Sequence, residues 1–519
     1  MMDQNLLYHC RRPDYIATLM VFSDPIPDIG PIPWLRSNRE NRWLLSLSSI
    51  GIIIQFIIFK YLYPFPNFMP PDSYSYLRAA YDNEMIGMWA IGYSKFLHFF
   101  STFETSDLVL VWFQYLFLEA AILYFLFTIR YLLSPGIWVF RVLLVISVFN
   151  PLIPHISNFV SSDSLFTALS LIWFTQLCWI FYRPNLRLFL AHAVVGLFAF
   201  MVRYNALYFP AISVILIFFS TAPKRQRWIG IGAIAILVGG FIGRTELEYH
   251  QRTGTYQFSG FGGWQMAANA LYGYSHSRPD PPESVPAEFR KLHMTVNRHM
   301  DSISRLLDTA RPDRVDGELI IYYLWDPKSP LKVYMDSVWK GKDSTTPHFV
   351  KWARMAPLYA AYGRYLMWHH PWHFMRGYLW PNANRYYVPP LSFMNSYILG
   401  DTVVDPIAAT WFKWKSRIVY TRTKSRDIWV TTLFPIPVAI CNAGFIFCFI
   451  VFLFLGAFKM STRISRQILR LMLFVWISNM VFSVFAAPTE LRYQLFAIIT
   501  TVAFFGLLLS YQIERAIAD

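Results

Sequence analysis

Ten apolar runs divide this chain: Trp43–Tyr63, Asp107–Leu133, Ile137–Ile153, Phe159–Tyr182, Leu188–Tyr204, Ala206–Ser220, Trp228–Gly243, Ile428–Phe458, Ile468–Ala487 and Tyr493–Ile513. A helix needs roughly 20 residues, at about 1.5 Å each, to cross about 30 Å of hydrocarbon. The runs therefore read as membrane spans, the shorter ones merging into their neighbours. With 55% hydrophobic, 18% aromatic and only 15% charged residues, the composition is that of a polytopic membrane protein and not of a soluble domain. The fold class expected is all-α, with about ten transmembrane helices.

Charge gives the sidedness. The formal net charge is +15, yet no Lys/Arg run interleaved with aromatics marks a nucleic-acid surface, and no nucleic-acid partner is expected. Instead the basic residues gather in RSNRENR, FYRPNLR, APKRQR and KMSTRISRQILR, while the alternate connections PHISN and AAPTELR carry little positive charge. This is a positive-inside pattern, with basic loops against anionic lipid. It puts both termini in the cytoplasm and divides the chain into a cytoplasmic segment (1–42), a seven-span membrane domain (43–243) with a first outer loop at 64–106, an exoplasmic domain (244–427) of mixed structure, and the last three spans (428–519). The N-terminal MMDQNLLYHCRRPDY has no apolar core behind its charges and does not read as a cleaved signal peptide. Cys10, Cys178, Cys441 and Cys448 are not spaced as a disulfide framework, and the absence of an Asn-x-Ser/Thr sequon favours a bacterial cytoplasmic (inner) membrane.

Charges of interest fall at the outer lip. FMPPDSYSYLRAAYDNEMIGMW follows the first span, and Asp72 there stands either as a helix cap or as a functional carboxylate. Asp163, in SSDSLF, faces the same choice, with Ser161 and Ser162 as rival caps. Arg203 and Arg492 oppose the positive-inside trend. Snorkelling to headgroups accounts for the first and a local pair with Glu490 for the second, unless each holds an anion. Lys95 is a further cation in the first outer loop. His369, His370 and His373 form a histidine cluster interrupted by Pro371, with no accompanying Cys or carboxylate. No P-loop, GxGxxG, GxSxG or HExxH motif occurs.

The acidic first outer loop, about ten spans and a large exoplasmic domain before the last three spans resemble the C superfamily of glycosyltransferases (GT-C). The branch is that of protein mannosyltransferases and lipid A aminoarabinose transferases. PPDSYSYLRAA matches its first-loop motif as Asp72, Tyr76 and Ala79 or Ala80, and the likeness continues through WAIGYSKFLHFF and ISNFVSSDSLFTALSL. It covers about the first 210 residues by motif and the rest by layout. Many members carry Asp-Glu where this chain has Asp72-Ser73, so one carboxylate is missing at that step.

The resemblance implies an inverting transfer of a sugar from a polyprenyl-phosphate carrier to a protein, lipid or polysaccharide acceptor on the outer face. Asp72 would be the catalytic base and Asp163 a second acidic residue. Arg203, Arg492 and Lys95 would bind the donor phosphate, and Tyr76 and Tyr93 would line the substrate. A lipid phosphate is already a leaving group, so the chemistry needs one base and cations, not a second carboxylic acid. No cofactor is required, and a divalent metal has no support in the sequence. A transporter or flippase of a lipid-linked or hydrophobic solute is the alternative. It calls for ionisable residues at mid-membrane on discontinuous helices.

Overall fold

The structure, a computed structural model, describes residues 27–307, 322–341 and 345–518. Residues 1–26, which hold Cys10 and most of the expected cytoplasmic segment, lie outside the described residues, as does the start of a helix anticipated at Asp316–Trp325. Among the described residues, eight helices are long and apolar enough to cross a membrane: Arg39–Leu62, Asp107–Leu133, Ile137–Ser157, Asp163–Tyr182, Lys224–Thr253, Trp429–Phe454, Arg463–Ala486 and Leu495–Ile517. Two shorter apolar helices, Leu186–Val202 and Tyr204–Phe218, stand where the fifth and sixth runs are expected. Helix is the form that satisfies its own backbone polar groups in lipid.

The ends of these helices carry their signals in the connecting loops. Asn38, Ser106, Asn185 and Thr462 each accept a backbone N–H from three residues on, closing the first turn. Lys224–Thr253 runs for 30 residues, about 45 Å, about 15 Å more than the hydrocarbon thickness, before Gly254 (φ +74°) ends it in the left-handed conformation. The anticipated boundary at 244 therefore falls inside one continuous helix.

The bundle has two distinct ends. At the lower end, which carries the basic loops, Glu40 accepts from Arg130 (3.3 Å) and Arg141 (2.8 Å), tying the start of the first span to the turn between the second and third. At the upper end the loop after the first span is clamped by Asn67. Its N–H donates to Asn158 O (2.7 Å), its C=O accepts from Val160 N (3.0 Å), and its side-chain oxygen accepts from Ile398 N (2.7 Å).

The described residues of the 244–427 segment are not of mixed structure. Among its described residues the regular elements are helices, and the β pairings are isolated bridges such as Ser396 with Asp427. In FSGFGGWQMAANALYGY (258–274) the small residues serve helix packing. Gly260–Tyr274 lies against His348–His369 so closely that a Cβ on Gly263 would stand 2.1 Å from the Ala356 carbonyl oxygen. Around this pair Trp264, Leu271, Trp352, Tyr359 and Tyr362 form a separate core. Residues beyond Tyr386, including Tyr397, Val404, Phe412 and Ile428, instead join the core of the membrane helices. Part of the hydrophilic segment thus belongs to the bundle.

The contact at Gly263 predicts a paired outcome. Gly263→Ala should cost about 1–3 kcal/mol, because the clash is with backbone that cannot rotate away. Gly262→Ala, where nothing lies within 4 Å, should be neutral or raise stability by about 0.5–1 kcal/mol. Thermal unfolding of the two purified variants checks this, and equal melting temperatures would contradict the packing.

Candidate active site

Four of the sequence-flagged residues meet at the upper end. Asp72 opens a short helix (Asp72–Tyr81), Asp163 opens the helix Asp163–Tyr182, Arg203 follows Leu186–Val202, and Arg492 lies in the turn before the last span. Arg492 donates from Nη1 to Asp72 Oδ2 (3.1 Å), from Nε to Glu490 Oε2 (2.7 Å) and from Nη2 to the Tyr493 hydroxyl (2.6 Å). Asp163 Oδ2 lies 3.7 Å from Arg492 Nη1 and accepts from Ser161 Oγ (2.8 Å), while its Oδ1 accepts from Arg203. Both guanidiniums sit over the Tyr493 ring, at 4.4 Å (Arg203) and 4.5 Å (Arg492) from its centroid.

This arrangement decides the open readings. Neither aspartate caps its helix: Pro71 and Ser162 hold the cap positions, without side-chain cap bonds, and both carboxylates turn to arginine. Arg203 does not snorkel, since its side chain is only 14% exposed and is paired with Asp163. Arg492 makes the local pair with Glu490 and reaches Asp72 as well. Ser73, standing where the resemblance has a second acidic residue, is fully buried and accepts from Met69 N (2.8 Å), so it points into the core. The carboxylate that shares Arg492 with Asp72 and Glu490 is that of Asp163.

Two expectations need correction. Tyr93 does not line an open site. It is fully buried, donates to Gln114 Oε1 (2.6 Å) and packs edge-on against Tyr76 at 5.0 Å. It supports Tyr76, whose hydroxyl lies 3.2 Å from Ser162 Oγ within the field of Asp72, Arg203 and Asp163. A Cβ on the preceding Gly92 would stand 2.3 Å from the Met201 carbonyl carbon, so glycine is what lets the first loop lie against the chain leading to Arg203. Lys95 is not in the cluster either. Its ammonium donates to Asn83 O (3.1 Å) and Oδ1 (2.7 Å), near a separate exposed group of Glu84, Glu248 and Arg252. A four-carbon stem on the exposed side of its helix finds the nearest loop acceptors first.

Sequence reasoning passed over Glu490 and Tyr493 as working parts of this site, although the Glu-Leu-Arg-Tyr run carries both. Thr489 Oγ1 and both polar atoms of the Gln494 side chain, flanking that run, are buried without hydrogen-bond partners. The histidines are dispersed in role: His370 pairs with Asp280 (2.7 Å), and His369 bonds Tyr365 O (2.9 Å). No three His, Cys, Asp or Glu side chains among the described residues group as metal ligands.

The electrostatics single out Asp72. Three carboxylates face two guanidiniums, so the cluster carries one negative charge in excess when all are ionised. Burial raises the Asp72 pKa above the ordinary carboxylate range, and Asp163 and Glu490 add to this against the opposing pull of Arg492. About a fifth of its side chain still meets solvent. Arg492, by contrast, stays charged, because Tyr493, Glu490, Asp163 and Asp72 outweigh the desolvation that opposes its charge. Burial thus favours the protonated form of Asp72 beside a guanidinium that keeps its charge. No protein-family model, curated protein or solved structure matches the chain.

The Asp163–Arg203 pair predicts strong coupling. Asp163→Asn leaves the Arg203 charge without its carboxylate and should cost about 3–5 kcal/mol, as expected for a buried pair that loses one member. Asp163→Asn with Arg203→Met should cost clearly less than the two single changes added together. A double-mutant cycle on unfolding in mixed micelles reads the difference, and additive costs would mean that the two side chains are uncoupled.

Proposed function

We propose that this chain is a membrane glycosyltransferase of the GT-C type. It takes a sugar from a polyprenyl-phosphate carrier and transfers it, with inversion, to a protein, lipid or polysaccharide acceptor on the outer face of a bacterial inner membrane. The observation that carries the reading is the meeting of Asp72, Asp163, Arg203 and Arg492 at one lip of the bundle, with Asp72 poised to accept a proton. A donor held by its lipid tail presents its phosphate and first sugar carbon at headgroup depth. A base and cations are useful only at that depth.

The acceptor oxygen attacks the anomeric carbon while its proton passes to Asp72. The bond from that carbon to the phosphate oxygen breaks, and its electron pair leaves with the phosphate. Arg203, which retains N–H groups beyond its bond to Asp163, is the better placed to meet the developing charge. Arg492 is committed to Asp72, Glu490 and Tyr493 in this state, so its first task is to orient the base.

One observation favours the transporter alternative. Glu119 lies midway along the Asp107–Leu133 helix, is 1% exposed, and has the Tyr115 hydroxyl beside its carboxylate. An intramembrane carboxylate of this kind belongs to proton-coupled transport as readily as to any other role. It stands alone there, whereas the charges at the lip form an organised group, and the enzyme reading is preferred on that ground.

Asp72→Asn keeps the shape of the side chain but cannot take a proton. It should leave the melting temperature near wild type and lower transfer from a synthetic polyprenyl-phosphate sugar by at least about 10²-fold. Because the base must be deprotonated and its pKa is raised, wild-type turnover should fall as pH drops through a value above the ordinary carboxylate range of about 4. Full activity in Asp72→Asn would remove the base from the scheme.

Sidedness is tested independently in a cysteine-free background. Glu283→Cys, on the 244–427 segment, should react in intact cells with an impermeant thiol reagent, and Thr221→Cys, in a basic loop, should not. The reverse pattern would place the cluster on the cytoplasmic face and exclude the proposed donor geometry.

A further inference from the structure

A cavity of about 570 Å³ opens between the end of Gly260–Tyr274, the stretch from Trp372 to Arg385, and Pro488 of the last upper loop. Its volume is that of a small-ligand site, and none of its lining residues belongs to the ion-pair cluster. Arg376, Arg385, His276 and His373 line it, with no Asp or Glu among the lining side chains. Tyr272 lines it too. Its residue is only 6% exposed, and its hydroxyl has no hydrogen-bond partner. A buried unpaired hydroxyl is costly unless something outside the chain completes it. Wall charge and orphan donor point the same way, to an anion with several acceptor oxygens.

The rim says where that anion is held. Trp368, Trp372 and Trp380 are largely exposed, and Met375 between them is half-exposed. Indole rings crowded on one stretch favour the headgroup layer of a bilayer, where an apolar face and a polar edge are both satisfied. Trp372 is at once a rim residue and a lining residue.

We infer that this cavity binds the phosphate-bearing headgroup of an anionic membrane lipid, with Arg376 and the Tyr272 hydroxyl on the phosphate oxygens and Trp372 at the membrane side of the mouth. The site is separate from the donor site proposed above and does not depend on it. Its place gives it a consequence. Asn382, a lining residue, donates to Val484 O and Ala487 O (both 2.8 Å) and accepts from Thr489 N (2.7 Å), which pins the loop leading into Glu490 and Arg492. A headgroup in the cavity, against Asn382 and Pro488, braces that loop.

The test uses the purified full chain and three water-soluble probes: dihexanoyl phosphatidylglycerol, dihexanoyl phosphatidylcholine and glycerol 3-phosphate. The wild type should bind the phosphatidylglycerol at least tenfold more tightly than either other probe. Arg376→Gln should weaken this about tenfold and Tyr272→Phe severalfold, with lipid-free melting temperatures unchanged. On saturation with phosphatidylglycerol, amide exchange at residues 487–493 should slow in the wild type and not in Arg376→Gln. Equal binding of glycerol 3-phosphate would make this a site for free phosphate esters and overturn the lipid assignment. Equal binding of the phosphatidylcholine, or wild-type affinity in both variants, would overturn the site itself.

Discussion

The upper half of this protein depends on one buried guanidinium. Arg492 is 7% exposed and shares its N–H groups among Asp72, Glu490 and Tyr493, with Asp163 close by. A charge removed from water must be paired and hydrogen-bonded, or it costs several kcal/mol. That demand reaches far along the chain. It draws together the loop after the first span, the start of the helix at Asp163, the chain beyond Leu186–Val202 and the turn before the last span. It also settles the register of the two short apolar helices: whatever their depth in the membrane, Arg203 at their upper turn must meet Asp163.

The hydrophilic segment completes the site by dividing in two. Its first part keeps a core of its own, built on the close pair of helices at Gly263 and Ala356. Its second part folds back over the cluster: Pro390 O accepts from Leu491 N (2.9 Å), Phe393 lies 5.9 Å from the Arg492 guanidinium, and the Tyr397 hydroxyl donates to Phe65 O (2.7 Å). Ile398 and Leu399 both adopt left-handed backbone angles (φ 52° and 50°), a costly conformation for a β-branched residue, and the Asn67 side chain holds Ile398 there. Strained backbone at this point puts Phe393 and Tyr397 against the loop that carries Asp72.

What could be read from the sequence follows from the contrast each residue makes with its surroundings. Spans are legible because 20 apolar residues in a row have few other uses. Asp72, Asp163, Arg203 and Arg492 are legible because charge at the end of such a run demands a partner, although only the fold says which partner. Lys95 met the same criterion but found its acceptors within its own loop, since a long stem can satisfy itself locally. Tyr93 was misjudged because a buried tyrosine and a ligand-facing one look alike until the Gln114 acceptor is seen. Glu119 was lost inside an apolar run that one carboxylate does not interrupt. The helix pairing within 244–427 is less legible, because the contact of Gly263 with Ala356 joins positions far apart in the chain.

The way Arg492 is engaged bears on how such a site would turn over. On the glycosyl-transfer reading, Asp72 begins as a carboxylate held by Arg492 Nη1, and this bond both aims the base and lowers its basicity. When the acceptor proton arrives, Asp72 becomes neutral and its hold on the guanidinium weakens, because a charge-assisted hydrogen bond is roughly twice as strong as a neutral one. The excess negative charge of the cluster disappears in the same step. At that moment the departing phosphate gains charge. A cation released by the base at the instant the leaving group needs one would stabilise the transition state more than the bound donor, and only such a difference accelerates the chemical step. The three carboxylates are then not surplus to two arginines: the third keeps Arg492 occupied until the proton has moved.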